Sequence, residues 1–288
     1  MSEYIIFTDS GCDIVPETLD KWGVKRVSLS FKFNDDEREY LDGDMPIKDF
    51  YQKMRDGGVA KTSAVNTETF KMAFEQELKA GRDILYIGFS SGLSSTSEAG
   101  QVAAAELQQE YPERKLIAID TLAASAGEGL LVWMAVQKKA EGASMDEVAQ
   151  WVKDNCAGMC QWFTVDDLVY LKRGGRVSAT VALAGAVLGI KPVMHVDDEG
   201  HLINMTKVRG RKQSIKALAQ KYTELAKDPK GGTFFISHGD CLEDAQLLSD
   251  MICQEHGVSA GLITNVGAVI GAHSGPGTLA LFFPGKER

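Results

Sequence analysis

No apolar run in this 288-residue sequence reaches the length of a bilayer-spanning helix, which excludes a hydrophobic membrane anchor of that kind. The first apolar run, within MSEYIIFTDSGCD, is too short for the core of a secretory signal and carries an acidic residue where a basic flank belongs. A soluble, cytoplasmic protein is the expectation. Positive charge is in deficit: 31 Lys and Arg against 40 Asp and Glu leave a formal charge of −9, which repels nucleic acid and anionic membranes over most of a surface. Paired cysteine ligands are lacking too. Cys12, Cys156, Cys160, Cys241 and Cys253 are scattered, and Cys156 and Cys160 have no matching His or Cys pair downstream, so a zinc site is not expected and reduced, mostly buried thiols are. Neither an internal repeat nor a low-complexity tail occurs. Nothing calls for a metal or a cofactor.

What remains is a chain rich enough in apolar residues, 44%, to bury a substantial core. YIIFTDS (4–10), VKRVSLSFKF (24–33), DILYIGFS (83–90) and KLIAIDT (115–121) read as strands. Between them IKDFYQKMRDG, NTETFKMAFEQELKAG, SSTSEAGQVAAAELQQEYP and SAGEGLLVWMAVQKKAEGAS carry helical spacing. That alternation predicts an N-terminal parallel sheet flanked by helices, doubly wound. The second half changes texture. WFTVDDLVYLKRGGRVS, LGIKPVMHVDDEGHLINMTKVRG with an apparent hairpin turn around 197–200, and GGTFFISHGD predict a second α/β domain with a mixed or largely antiparallel sheet. The division is drawn at 1–160 and 161–288.

Ligands of open parallel sheets bind beyond the carboxyl ends of strands, where loops run into helix N-termini. Polar segments occupy such places: FTDSGCD with Asp9, Ser10 and Asp13; KTSAVNTETF with Thr62 and Ser63 ahead of a helix capped by Asn66 or Thr67; and SSGLSSTSE. A further one, GAHSGPGT with His273 and Ser274, lies in the second half. Each alone could be an N-cap, and Asp13 reads most simply as one. SSGLSSTSE holds more hydroxyls than a cap requires. Its lack of Lys or Arg disfavours a polyphosphate; a single carboxylate fits better, since hydroxyl and NH donors plus His273 can satisfy it.

Two enzymatic alternatives compete with simple binding. GFSSG fits the G-x-S-x-G elbow of serine hydrolases, with Ser90 as nucleophile, His238 or His273 as base and Asp120 or Asp240 as acid, yet no HGGG-type loop precedes it. A metal-dependent small-molecule kinase or phosphatase would use Asp9 and Asp13 instead. For His273 the plain alternative is a loop histidine with a structural hydrogen bond; His195, His201, His238 and His256 read as structural.

DSGCDI, KTSAVNTETF, SSGLSST, YLKRGGRVS, LGIKPVMHVDDEGHL, KVRGRKQSI and IGAHSGPGTLALFF, in this order across essentially the whole chain, resemble the DegV family, fatty-acid-binding proteins that act as acyl carriers to a separate fatty acid kinase. The resemblance implies a long-chain fatty acid whose carboxylate is held between the two domains by Thr62, Ser94 and His273, with the NH of Ser95 as an extra donor. It implies no catalytic residue on this chain and a kinase catalytic subunit as partner. Arg176 of the G-G-R segment and Arg209 of the basic segment are implied in engaging that kinase; nucleic acid is not implied, and the basic clusters lack interleaved aromatics. The sequence departs from the family pattern at DSGCD, at Val65 and at Ser95, where the family commonly has D-S-T-A-D, Pro and Gly. A buried acyl chain gains roughly 0.8 kcal/mol per CH2, so an apolar channel supplies affinity and the polar residues orient the head. Apolar residues of GEGLLVWMAV and VALAGAVLGI, with Gly185 and Gly189, are the candidate channel walls.

Overall fold

A computed structural model of the chain describes residues 3–178 and 189–288. The first half runs β1 (Tyr4–Asp9), α1 (Pro16–Trp22), β2 (Val24–Val27), β3 (Ser30–Phe33), β4 (Tyr40–Leu41), α2 (Ile47–Arg55), β5 (Ala60–Ser63), α3 (Thr67–Lys79), β6 (Asp83–Gly88), α4 (Thr96–Glu110), β7 (Leu116–Asp120), α5 (Ala126–Ala140) and α6 (Met145–Cys156). The second runs β8 (Met159–Thr164), α7 (Val169–Arg173), β9 (Ile190–Val196), β10 (Leu202–Arg209), α8 (Arg211–Leu225), β11 (Phe235–His238), α9 (Leu242–His256), β12 (Leu262–Asn265), α10 (Ala268–Ser274) and β13 (Leu279–Pro284). The fold is α/β.

Strands β2, β1, β6 and β7 form a parallel sheet in that order. Successive side chains leave a strand on opposite faces, and here both faces are apolar. Ile6, Leu85 and Ile87 join Leu130 of α5 and Val148 and Val152 of α6; Phe7, Ile84 and Tyr86 join Phe70 and Phe74 of α3 and Leu107 of α4. Helices therefore cover both sides, the doubly wound arrangement that the alternation of elements predicts.

The second sheet is mixed, in the order β10-β9-β8-β13-β11-β12; only β11 and β12 pair in parallel. Leu279, Leu281 and Phe283 of β13 face α8 and α9 through Ile215, Leu218, Leu248 and Ile252. The intervening Ala280 and Phe282 turn towards α5. Helix α5 is thus enclosed between the two sheets, which is why the run from Ala126 to Val132 is wholly buried. Strand β8 lies across the 160/161 division drawn from the sequence and pairs within the second sheet. Gly185 and most of VALAGAVLGI lie outside the described residues.

One strand assignment changes. VKRVSLSFKF is not continuous: β2 stays in the parallel sheet, whereas β3 joins an antiparallel sheet of order β4-β3-β5. The break falls at Ser28 and Leu29, where the Leu29 NH donates to Ser10 Oγ at 3.1 Å instead of to a strand neighbour. A side chain from the turn after β1 thereby peels the strand away. Asp13 is a cap, but of the 3-10 turn Ser10–Cys12, where its NH donates to the Ser10 carbonyl, and not of α1. Helix α1 begins at Pro16 with no side-chain cap, and Asp13, in left-handed backbone at φ 52°, is buried against Ser125 and Gly267.

The turn joining β9 to β10 is tight. Asp197 Oδ1 accepts from the NH groups of Glu199 (3.1 Å) and His201 (2.8 Å), and Gly200 adopts φ +79°. The carbonyl of Gly200 in turn accepts from Ser90 Oγ at 2.9 Å, so the hairpin tip docks on the serine-rich loop. A Cβ at Gly200 would lie 2.1 Å from Ser90 Oγ, whereas one at Gly257, at φ +72°, would meet nothing. Gly257→Ala is therefore expected to cost about 1–2 kcal/mol from its left-handed backbone alone, and Gly200→Ala roughly 1–3 kcal/mol more from overpacking. Urea-unfolding midpoints of the two variants measure the difference; equal losses would contradict this docking.

Candidate functional site

The carboxyl ends of the parallel strands point at a cavity of about 320 Å3, a volume at the lower end of the usual range for small-molecule sites. Gly11 follows β1, Leu29 follows β2, Phe89 and Leu93 to Ser95 follow β6, and Ala124 and Ser125 follow β7; all of them line it. The opposite wall is the second sheet, contributing Gln161, Phe163, Ala280 and Phe282 from alternate positions of β8 and β13. Helix α10 closes a side with Val269, Ile270, His273 and Ser274, spaced as one face of a helix requires. No residue of 126–140 lines the cavity: the GEGLLVWMAV helix is core.

Polar side chains from separate segments meet in this apolar wall. Thr62, on β5, lies 2.8 Å through Oγ1 from Nε2 of His273, which sits near the end of α10 and not in a loop. Ser94 Oγ contacts Thr96 Oγ1 at 2.9 Å and accepts from the Thr96 NH at 3.3 Å, so it, and not Ser95, satisfies the first turn of α4. Ser95 occupies the N-cap position without a side-chain cap bond and is exposed. The Val65 NH donates to Thr96 Oγ1 at 3.4 Å, which ties the loop after β5 to the serine-rich loop. Asn66 is the cap of α3, accepting from the Thr69 NH at 2.9 Å. Thr62, Ser94, Ser95 and His273 all line the one cavity.

Arg176 lines it as well, so the polar group is not composed of neutral donors alone. The Gly174–Gly175 turn, with Gly175 at φ +72°, directs its half-buried guanidinium inward. Nε and Nη2 donate to the Leu93 carbonyl at 3.1 and 2.9 Å, and Nη1 donates to that of Gly174. Sequence reasoning missed this placement because the segment is remote from the serine-rich loop. Arg209, by contrast, is exposed at the end of β10, outside the cavity lining.

Burial, reinforced by the positive charge of Arg176, pushes the His273 imidazole down to about 4, so it is neutral near pH 7. Nδ1 is buried without a hydrogen-bond partner, packed against Gly174, where even a Cβ would come within 2.1 Å. An orphaned N–H is costlier to bury than an orphaned lone pair. We therefore assign the proton to Nε2, which donates to Thr62 Oγ1 and leaves the Thr62 O–H free to donate into the cavity.

Of the residues named for the enzymatic alternatives, His273 lines the cavity and the others do not. Ser90 is fully buried, donating to Gly200 O and accepting from the Gly92 NH at 3.2 Å. His238 Nδ1 accepts from the Cys241 NH at 3.2 Å. Asp9 accepts from the NH groups of Gly11 (2.9 Å) and Phe89 (3.1 Å) and from the Tyr86 hydroxyl (2.7 Å), and burial raises both Asp9 and Asp13 above the usual carboxylate range. Among the described residues, the group spaced to hold a metal ion is Asp197, Glu199 and His201 at the hairpin turn, where Asp197 already binds the turn's NH groups. No described helix is long and apolar enough to cross a membrane.

The model of the DegV family, an uncharacterised protein family by its description, matches residues 4–286. A DegV domain-containing protein of Clostridium perfringens is 43% identical over 291 residues, covering 100% of this chain and 99% of its own. One from Lactococcus lactis is 33% identical, covering 96% of each. Among solved structures, a fatty-acid-binding DegV family protein of Thermus thermophilus superposes with a TM-score of 0.87 at 27% identity, covering 99% of this chain and 100% of that one. A Thermotoga maritima protein with fatty acid binding function gives 0.85 at 28%, with the same coverage. A stearic-acid-binding protein of Eubacterium ventriosum gives 0.87 at 25%, covering 98% of each.

Because the His273 imidazole is depressed from 6.5 to about 4, the unfolded chain binds the extra proton between those values. Its contribution to stability is complete above pH 6.5 and lost as pH falls towards 4. Asp42, raised by burial to about 6, acts in the opposite direction over an overlapping window, so the difference between wild type and His273→Asn isolates the imidazole. That difference should grow in the wild type's favour from pH 4 to 6.5, and the His273 ring should take up no second proton by NMR above about pH 5, its single N–H remaining on Nε2. An ordinary titration near 6.5 would contradict the assignment.

Proposed function

The chain belongs to the DegV family, and on that premise we propose that it binds a long-chain fatty acid in this cavity and presents the carboxylate to a separate kinase. The carrying observation is the convergence of Thr62, Ser94, Ser95, His273 and Arg176 on one cavity whose walls are otherwise largely apolar. Fatty-acid-binding structures at similar identity and near-complete coverage support the ligand class.

In this reading the acyl chain lies against Phe89, Phe163, Val269, Ile270 and Phe282, and burial of its methylenes supplies the affinity. Donors at the polar end fix the carboxylate, between an N-terminal domain of residues 1–160 and a C-terminal domain of 161–288. The Thr62 hydroxyl, backed by neutral His273, and the Ser94 hydroxyl donate to the carboxylate oxygens. The Ser95 NH adds to the positive end of α4, and the Arg176 charge favours the anion without being consumed by it. The kinase brings ATP; a carboxylate oxygen attacks the terminal phosphorus, ADP leaves, and an acyl phosphate forms. This chain contributes orientation and exclusion of water and no catalytic residue. In this reading Arg209, exposed at the end of β10, meets the kinase from outside, and Arg176 does so from the cavity lining. A cytoplasmic location, where ATP is available, follows from the same reading.

Native mass spectrometry of protein purified from cells, followed by organic extraction, should reveal one long-chain fatty acid per chain. Thr62→Val and Ser94→Ala should each weaken binding roughly 10-fold or more, as expected for loss of a hydrogen bond to a charged group. Protein that carries no lipid and takes up none from solution would overturn the reading. With a cognate kinase, Arg209→Ala should cut acyl-phosphate formation at least about 10-fold while leaving fatty acid affinity unchanged, the signature of a desolvated docking contact. Unchanged phosphorylation would remove the docking role.

A further inference from the structure

Ser274 ends α10 one residue after His273, is 5% exposed, and lines the cavity. Its hydroxyl has no hydrogen-bond partner. Helical hydroxyls commonly fold back onto a carbonyl one turn earlier, and others in this protein do so: Ser214 Oγ donates to Arg211 O at 2.9 Å and Thr223 Oγ1 to Ala219 O at 3.4 Å. Ser274 does not. Among the described residues, the buried side-chain atoms left without partners include just two on residues lining this cavity, His273 Nδ1 and Ser274 Oγ. Packing against Gly174 accounts for the first. The second belongs to the same cavity lining as Thr62, His273 and Arg176.

We propose that Ser274 is a further head-group ligand of the bound fatty acid, its hydroxyl donating a hydrogen bond to a carboxylate oxygen and thereby favouring the free acid over its esters. This rests on the fatty-acid reading above and deepens it. Val269, Ile270, His273 and Ser274 are successive rungs of one helix face, so an acyl chain running along α10 brings its polar end to the last rung, where both polar side chains stand. Thr278 Oγ1, the neighbouring hydroxyl of the wall, is already spent on Gly275 O at 2.7 Å and leaves that donor role to Ser274.

The test uses the full, delipidated chain, titrated with palmitate and with methyl palmitate, for wild type and Ser274→Ala. A hydrogen bond to a charged acceptor is about twice as strong as one to a neutral acceptor, so palmitate affinity should fall about 10-fold and ester affinity less than about 3-fold. The ligand-free variant should melt at or above the wild-type temperature, because the hydroxyl it lacks has no partner to lose. Palmitate binding within two-fold of wild type, equal losses for both ligands, or a lowered melting temperature of the ligand-free variant would each overturn the assignment. A wild-type chain that binds neither ligand removes the fatty-acid reading itself.

Discussion

The 2.8 Å contact between Thr62 and His273 joins positions 211 residues apart, and the polar end of the cavity is assembled around it. One partner stands on β5 of the small antiparallel sheet, the other on α10, which follows β12 of the second sheet. Each satisfies a polar group of the other in a part-buried contact, and leaving such a group unpaired costs up to about 1–3 kcal/mol where it is fully buried. Keeping the imidazole neutral is part of the same constraint. A protonated ring would draw a carboxylate more strongly, but burial, reinforced by the half-buried Arg176 guanidinium, holds the ring uncharged.

Around this contact the architecture divides the labour. Loops at the carboxyl ends of parallel strands bring NH groups and hydroxyls, the property that makes such ends binding sites in open sheets. The second sheet supplies a floor through strict alternation: Ala280 and Phe282 reach the cavity while Leu279, Leu281 and Phe283 are buried behind it against α8 and α9. Helix α5, wedged between the sheets, fixes their separation and so the depth of the space. The hairpin tip at Gly200 and the serine-rich loop brace each other through Ser90, which gives a structural occupation to the serine that the G-x-S-x-G pattern singles out.

Much of this was legible in the sequence because it depends on local chemistry. Apolar alternation marks the parallel strands, and hydroxyls in excess of any cap mark the loop of Ser94 and Ser95. The Asp197–Gly200 turn is visible as a hairpin. What escaped depends on contacts distant in sequence. Nothing in VKRVSLSFKF reveals that Ser10 captures the Leu29 NH and splits the strand. Nothing in DSGCD shows Asp13 turned against Ser125 and Gly267 and not towards α1. Arg176 reads as a residue that engages a kinase, and only the fold shows the Gly174–Gly175 turn aiming it at the Leu93 carbonyl. The orphaned hydroxyl of Ser274 is a property of packing alone, invisible beside the more conspicuous histidine.

In the proposed complex, donors brought together from separate segments grip the acidic end of an otherwise apolar guest. Carbon-13 NMR of palmitate labelled at its carboxyl carbon, bound to the protein, reports on that grip directly. One bound resonance distinct from free and micellar palmitate is expected, shifted by Thr62→Val and by Ser94→Ala and ionised to lower pH than the free acid, since hydrogen bonds to the anion favour it. A bound signal that ignores both substitutions and titrates like an exposed carboxyl group would contradict it.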